Sequence, residues 1–277
     1  MLYRHQIKKN FSAVAAEYEA RADFQAKVAG ELLSFMDRTA PLRGLSSKGD
    51  RDTLARVLDT GCGTGRLMRD LCNEGDKKAD FFGLDMALPM LIEAKKRRIG
   101  GSAFVNAISE NLPFCGKAFD YVISNLAYQW VRDITRAFAE VERVLLPGGS
   151  FSFSTLGPAT LNELQTCLES ADNGRDRFSL TPFAGLGEIR EALMAAGLQL
   201  ETVKEKRLLR PYKNPMHLLK TLRNTGASAR GEVPGNTLSR GTFLKKALNI
   251  YEKKFSQPDG TIRATYEVIL VTARKAR

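Results

Sequence analysis

The chain has 277 residues, 43% of them hydrophobic, with a formal net charge of +11, 4 cysteines and 2 histidines. That length supports one sizeable core, and no apolar run approaches the roughly 18–20 residues of a membrane-spanning helix. His5 and His217 are too few for a metal centre or a Ser-His-Asp triad, and Cys62, Cys72, Cys115 and Cys167, with no C-x-x-C pair, read as reduced thiols of a cytoplasmic protein.

Residues 1–9 are basic without the apolar stretch of a secretory signal, and no Arg- and Ser-rich transit segment of useful length precedes the first helical pattern. Residues 7–38 carry Ile7, Phe11, Val14, Ala15, Tyr18, Ala22, Phe24 and Leu32 at helical spacings. Pro41 to Thr53, rich in Gly, Ser and charge, reads as a loop. An alternating pattern follows, with strand 55–59, helix 65–74, strand 80–84, helix 87–97, strands 103–106 and 118–125, and helix 133–145. Pro147-Gly148-Gly149 is expected to end that helix, and Ser150 to Leu156 to form the next strand. Helices 160–171 and 184–196, the second ended by Gly197, lead to a strand near 198–209. Residues 211–258 read as mostly helical, and Thr261 to Arg274 as a long final strand. This predicts an α/β fold with a mostly parallel sheet covered on both faces. The expected organisation is one domain: a helical lid over 1–40, a core over 54–210, a helical insertion over 211–258 and a final strand over 259–277.

Val57-Leu58-Asp59-Thr60-Gly61-Cys62-Gly63-Thr64-Gly65 ends a strand in an acid and a loop with glycine at alternate positions, and Asp85 closes the next strand. Glycine allows the tight turn and a close approach of ligand to backbone, and the helix start behind it offers free N–H groups. An acid at the end of the second strand is placed to accept from both hydroxyls of a ribose. Arg66 stands where the dinucleotide fingerprint needs its third glycine, which disfavours NAD, and no G-x-x-x-x-G-K-[ST] phosphate loop occurs.

Asp59-x-Gly-x-Gly-x-Gly resembles the first motif of the class I S-adenosylmethionine methyltransferases. The resemblance implies a Rossmann-like, seven-stranded sheet and S-adenosylmethionine as cofactor, held by Asp59, Gly61, Cys62, Gly63, Gly65, Asp85 and Met86. Many such enzymes carry an acid that accepts from the adenine amino group where this chain has Ile108. The acceptor is therefore expected from Ser109, Glu110 or a backbone carbonyl. Asn125, Leu126 and Ala127, at the end of the fourth strand, should lie beside the methionine portion of the cofactor. Tyr128 and Trp130 follow as an aromatic pair that could wall a sulfonium.

Phe11-x-x-x-Ala15-Ala16-x-Tyr18-Glu19-x-x-Ala22-Asp23-x-Gln25 is similar to the N-terminal helix of the malonyl-[acyl carrier protein] O-methyltransferases of biotin synthesis. Ser124-Asn125-Leu126-Ala127-x-Gln129-Trp130, Arg143-Val144-Leu145-x-Pro147-Gly148-Gly149 and Ser154-Thr155-Leu156-Gly157 resemble that family too. So do Leu222-Arg223-x-x-Gly226-Ala227 and Ala264-Thr265-Tyr266-Glu267-Val268. The resemblance implies a monomeric enzyme that methylates the free carboxylate of a malonyl thioester, on acyl carrier protein or coenzyme A, with no nucleic acid or membrane partner. Tyr18 and Gln25 would belong to a helix that closes over the cofactor.

A carboxylate with a pKa of about 4 is already ionised at neutral pH, so no general base is needed. Orientation and exclusion of water would carry the catalysis, together with a cation that grips the malonyl carboxylate. Lys220 and Arg223, at i and i+3 on the inserted helix, are the candidates, with Tyr18 as a further catalytic residue. An acidic carrier protein would also use the charge excess for docking. A quinone-type methyltransferase leaves that excess unexplained. A protein-maturation factor resembling the mitochondrial complex I assembly proteins would fit neither the missing transit segment nor Leu222 to Ala227. An RNA methyltransferase would be expected to carry an aromatic–glycine stacking signature, which is absent.

Overall fold

Val57 and Leu58 are neighbours in strand β1 (Ala55–Thr60), and both are fully buried. Successive strand residues face opposite sides, so this pair requires cover on both faces of the sheet. The computed structural model describes residues 2–39, 54–73, 79–99, 101–172, 179–180, 182–225, 231–232 and 237–277. The loop expected over 41–53 and the Gly226-Ala227 pair lie outside them.

The sheet continues through β2 (Ala79–Asp85), β3 (Ser102–Asn106), β4 (Phe119–Asn125) and β5 (Leu145–Leu156). Two short strands, β6 (Ser179–Leu180) and β8 (Gly231–Glu232), form a separate antiparallel ribbon, while β7 (Leu198–Tyr212) and β9 (Ile262–Lys275) complete the main sheet. Its seven strands run in the order β3-β2-β1-β4-β5-β9-β7, with β9 antiparallel to both neighbours and the other pairings parallel.

Ten helices are described: α1 (Leu2–Val14), α2 (Tyr18–Arg21), α3 (Asp23–Thr39), α4 (Arg66–Asn73), α5 (Leu88–Lys96), α6 (Ile134–Val144), α7 (Asn162–Asp172), α8 (Leu186–Ala195), α9 (Pro215–Asn224) and α10 (Thr237–Phe255). Val57, Phe81 and Ile123 join one core with Leu32 of α3, Leu67 of α4 and Cys167 of α7. Leu58, Val122 and Phe153 join the other with Phe138 of α6 and Ile189 of α8.

Two local expectations change. The N-terminal helical pattern is broken by a 3-10 turn at Ala15–Glu17 and by Ala22, which leaves the helical region (φ −95°, ψ 37°). The breaks let Ala15 pack with Met90 of α5 while Phe24 enters the sheet-side core. Pro147-Gly148-Gly149 does not end the helix before it. Helix α6 stops at Val144, and the three residues form an irregular start to β5. The register jumps from Phe119↔Leu145 to Tyr121↔Ser150 there, with Gly148 taking a φ of +77°. A side chain on Gly149 would meet the Leu146 carbonyl oxygen at 2.8 Å, so the bulge is built for glycine.

Candidate functional site

The chain leaves β1 outward to β2 and β3, then returns to the other side as β4, which opens a crevice at the C-terminal ends of β1 and β4. The glycine loop fills its floor. Gly61 and Cys62 both donate their N–H to the Leu84 carbonyl, at 2.7 and 3.0 Å, which pins the loop to the end of β2. Gly61 has a φ of +72°, and a Cβ there would lie 2.3 Å from the Cβ of Ala127. Gly63, with a φ of +54°, faces open space.

Asp85 is oriented by that loop. One carboxylate oxygen accepts from the Gly63 N–H at 3.0 Å, the other from the Ala87 N–H at 2.8 Å. Each oxygen keeps a lone pair for a second donor, the arrangement that two vicinal hydroxyls require. Burial pushes the Asp85 carboxyl up to about 6, against the two backbone hydrogen bonds. Asp59, behind it, is 1% exposed, and neither carboxylate oxygen has a hydrogen-bond partner. Burial first, and the Asp85 charge second, raise it to about 8. At neutral pH Asp59 is therefore mostly protonated, and the ionised Asp85 in so dry a floor favours a cationic ligand above it.

A pocket of about 100 Å³ lies over this floor. It brings together Tyr18, Gly61, Gly63, Asp85, Met86, Ser109, Glu110, Asn125, Leu126 and Trp130, nearly the whole set expected from sequence. Its volume is below the roughly 300–1,000 Å³ of ordinary ligand pockets. The N-terminal helices α1 and α2 cover it through Arg4, Ile7, Phe11 and Tyr18, and a further cavity of about 660 Å³ adjoins it at Arg4, Met86, Ala107, Ile108 and Trp130. Asp59, Cys62 and Gly65 do not line it. Cys62 is a buried thiol, raised by burial, and a side chain on Gly65 would meet Ile99 at 2.7 Å. These three shape the loop from behind. Glu110 is buried and paired with Arg4 of α1 at 2.9 Å.

A larger cavity of about 460 Å³ adjoins the pocket and shares Phe11, Tyr18, Leu126 and Trp130 with it. Leu126 adopts a φ of +51°, a strained backbone for a leucine, at this junction. The cavity is walled by Phe24, Leu156, Leu161, Phe183, Leu222 and Tyr266, and Gln25 lines it rather than the smaller pocket. Trp130 packs edge-on against Phe11, with ring centroids 5.7 Å apart. Tyr128 is no wall of the site. It is 2% exposed, packs among Phe138, Phe151 and Phe153, and shares a 3.0 Å hydrogen bond with Thr60.

Lys220 and Arg223 are not in the cavity. Helix α9 starts on Asn214, whose side chain accepts from the His217 N–H, and Pro215. Leu222 and Thr225 of its inner side meet the cavity, leaving Lys220 and Arg223 exposed to solvent. The cation in the cavity is Arg210, the one charged residue among the described lining residues. It pairs with Asp23 at 2.6 Å, and its guanidinium lies 5.5 Å from the Phe24 ring centroid and 5.6 Å from that of Tyr212. A signal for it existed: Leu208, Arg210 and Tyr212 alternate along β7, and both neighbours pack into the core.

A methyltransferase domain model matches residues 58–153 of the chain. The chain is 31% identical to the malonyl-[acyl-carrier protein] O-methyltransferase of Halorhodospira halophila, over 96% of its own length and 86% of that protein's. It is 30% identical to the biotin biosynthesis bifunctional protein BioHC of Teredinibacter turnerae over 98% of its length, and spans 47% of that longer protein. The fold is similar to that of the YcgJ protein of Bacillus subtilis, with a TM-score of 0.58 at 19% identity, over 90% of this chain and 99% of that one.

Proposed function

Since the chain belongs to the malonyl-[acyl-carrier protein] O-methyltransferase family, we propose that it methylates the free carboxylate of a malonyl thioester carried on acyl carrier protein, giving the methyl ester that enters biotin synthesis. The observation that carries this reading is the apolar cavity beside the glycine loop with Arg210 as its single charged lining residue among those described. Such a chamber suits a substrate with one carboxylate on an apolar arm.

S-adenosylmethionine, bound over the glycine loop, would supply a methyl on a sulfonium, which a carboxylate oxygen takes directly as the bond to sulfur breaks. The residues fit this cofactor: Asp85 has free lone pairs for the ribose and, ionised above pH about 6, puts negative charge beneath a cationic ligand, and Ile108 to Glu110 edge the adenine end. Asn125, Leu126 and Trp130 are placed for the methionine portion, with Tyr18 at the junction to the larger cavity.

Arg210 grips the malonyl carboxylate. Its bond to Asp23, a side chain 70% exposed, leaves other guanidinium N–H groups for a planar partner. Burial, then the charges of Asp85 and Glu19, raise the Tyr18 hydroxyl well above its ordinary range, so it stays a donor at neutral pH and helps aim the carboxylate. No residue has to remove a proton. With S-adenosylhomocysteine present, malonyl-carrier protein should bind at least about tenfold tighter than acetyl-carrier protein, since the second lacks a charged group for Arg210. Equal affinities would count against this assignment.

Two further outcomes follow from the same reading. Asp85 accepts from ribose hydroxyls best when ionised, so S-adenosylhomocysteine affinity should hold above pH about 6 and fall as pH drops through it. Calorimetry between pH 5 and pH 8 checks this, and a flat profile would remove Asp85 from the ribose contact. Lys220 and Arg223 steer the acidic carrier from the exposed face of α9. Reversing both charges should slow turnover of malonyl-carrier protein by about tenfold at low salt, with a deficit that shrinks above ~0.1 M. Malonyl-coenzyme A turnover should change little. Equal losses on both thioesters at every salt concentration would restore the clamp role to α9.

A further inference from the structure

We propose that Glu19 is a latch that holds the lid closed over the cofactor pocket. The inference rests only on the cofactor half of the proposed function. Helices α1 and α2 cover the pocket as a lid, with Arg4, Ile7, Phe11 and Tyr18 among its walls, so a cofactor passes them on its way in and out. Whatever fastens α2 to the core therefore sets how fast the cofactor enters and leaves.

Glu19, next to Tyr18 on α2, makes that connection. One of its carboxylate oxygens accepts from the Thr64 hydroxyl at 2.7 Å, a group within the glycine loop itself. The other bonds the Arg66 guanidinium at the start of α4, with Arg69 at 3.8 Å and Arg97, just past α5, at 3.6 Å. Three cations from the core thus converge on one carboxylate from the lid. Asp70 offsets part of the charge, with Arg69 at 3.1 Å and Arg66 at 4.0 Å, and no second carboxylate faces Arg97 among the described ion pairs.

The cluster is shielded: the Glu19 side chain is 18% exposed and the arginines 26–30%. The Nε atoms of Arg66 and Arg97 are buried without a hydrogen-bond partner. Removing Glu19 leaves these guanidiniums facing one another with no lid carboxylate between them, which favours the open lid. Because Thr64 belongs to the loop that forms the pocket floor, lid and floor are joined by the same two oxygens. A cofactor that orders the floor then favours the closed lid, and the reverse holds by linkage.

Hydrogen exchange and cofactor release test the latch. In ligand-free Glu19→Ala, exchange in residues 2–21 should rise while β1 and β4 keep their protection. S-adenosylhomocysteine should dissociate about tenfold faster or more, and the KM for S-adenosylmethionine should rise with it, while kcat at saturation changes by less than about threefold. Glu19→Gln keeps an acceptor for Thr64 but loses the charge and should fall between, and Glu19→Asp should lie closer to wild type than Glu19→Gln. If Glu19→Ala does not fold, Glu19→Gln carries the same measurements. Unchanged exchange over residues 2–21 in the ligand-free variant overturns the latch whatever the cofactor proves to be. A fall in kcat with KM for the cofactor unchanged overturns it as well.

Discussion

Replacing Arg210 with methionine is expected to lower kcat/KM for malonyl-carrier protein by roughly 30- to 1,000-fold and leave S-adenosylhomocysteine affinity within about twofold. The variant keeps an unbranched apolar side chain of similar length while removing the guanidinium that lies by the Phe24 and Tyr212 rings. A buried carboxylate without its cation loses a charge-assisted contact of about 2–4 kcal/mol. Arg210→Lys should recover only part of the loss, because an ammonium cannot offer the planar pair of donors. Asp23→Asn gives a useful contrast: it releases Arg210 from its ion pair without touching the cavity wall, so it should cost far less. If Arg210→Met turns over the malonyl thioester normally while the Lys220 and Arg223 variants do not, the carboxylate grip belongs to α9.

The second large effect is expected at Asp85. Asp85→Ala should weaken S-adenosylhomocysteine binding by roughly 30- to 1,000-fold, from two charge-assisted bonds worth about 1–2 kcal/mol each after overlap. The ligand-free variant should be no less stable than wild type, because a carboxylate raised to about 6 by burial is a cost to the folded state at neutral pH. The loss of anchoring for Gly63 and Ala87 opposes that gain. Asp85→Asn retains one carbonyl acceptor and should fall between. A folded Asp85→Ala that binds S-adenosylhomocysteine as wild type does would remove the ribose assignment.

What the sequence made legible was local. The glycine loop and Asp85 are tied together by chain spacing, and strand and helix periods placed both at one rim of a parallel sheet. Lys220 and Arg223 were correctly assigned to one face of one helix, by their i and i+3 spacing. Which face met the cavity was a tertiary matter, decided by the apolar run of Leu218 and Leu222 with Thr225. Arg210 was not singled out because its place in the cavity depends on Phe24 and Tyr266, distant in sequence, closing a chamber around one inward position of β7. The alternation of Leu208, Arg210 and Tyr212 held that information, but a cation at an inward strand position gains meaning only once α3 brings Asp23 and Phe24 against it.

The same limit applies to Tyr128 and Trp130. Two aromatics in one short turn look equivalent in sequence, yet the 3-10 geometry of Tyr128–Trp130 sends the first into the phenylalanine core and the second to the pocket. Pro147-Gly148-Gly149 reads as a helix stop because proline and glycine break helices. The parallel register with β4 instead takes these residues as a bulge at the start of β5.

The central claim, methyl transfer to a malonyl carboxylate, is tested most directly by the intact mass of carrier protein after incubation with S-adenosylmethionine and the enzyme. Malonyl-carrier protein should gain the mass of one methylene per chain, with S-adenosylhomocysteine formed in equal amount, and acetyl-carrier protein should gain nothing. Equal methylation of the acetyl form, or methylation of RNA or a quinone with the malonyl form left untouched, would contradict it.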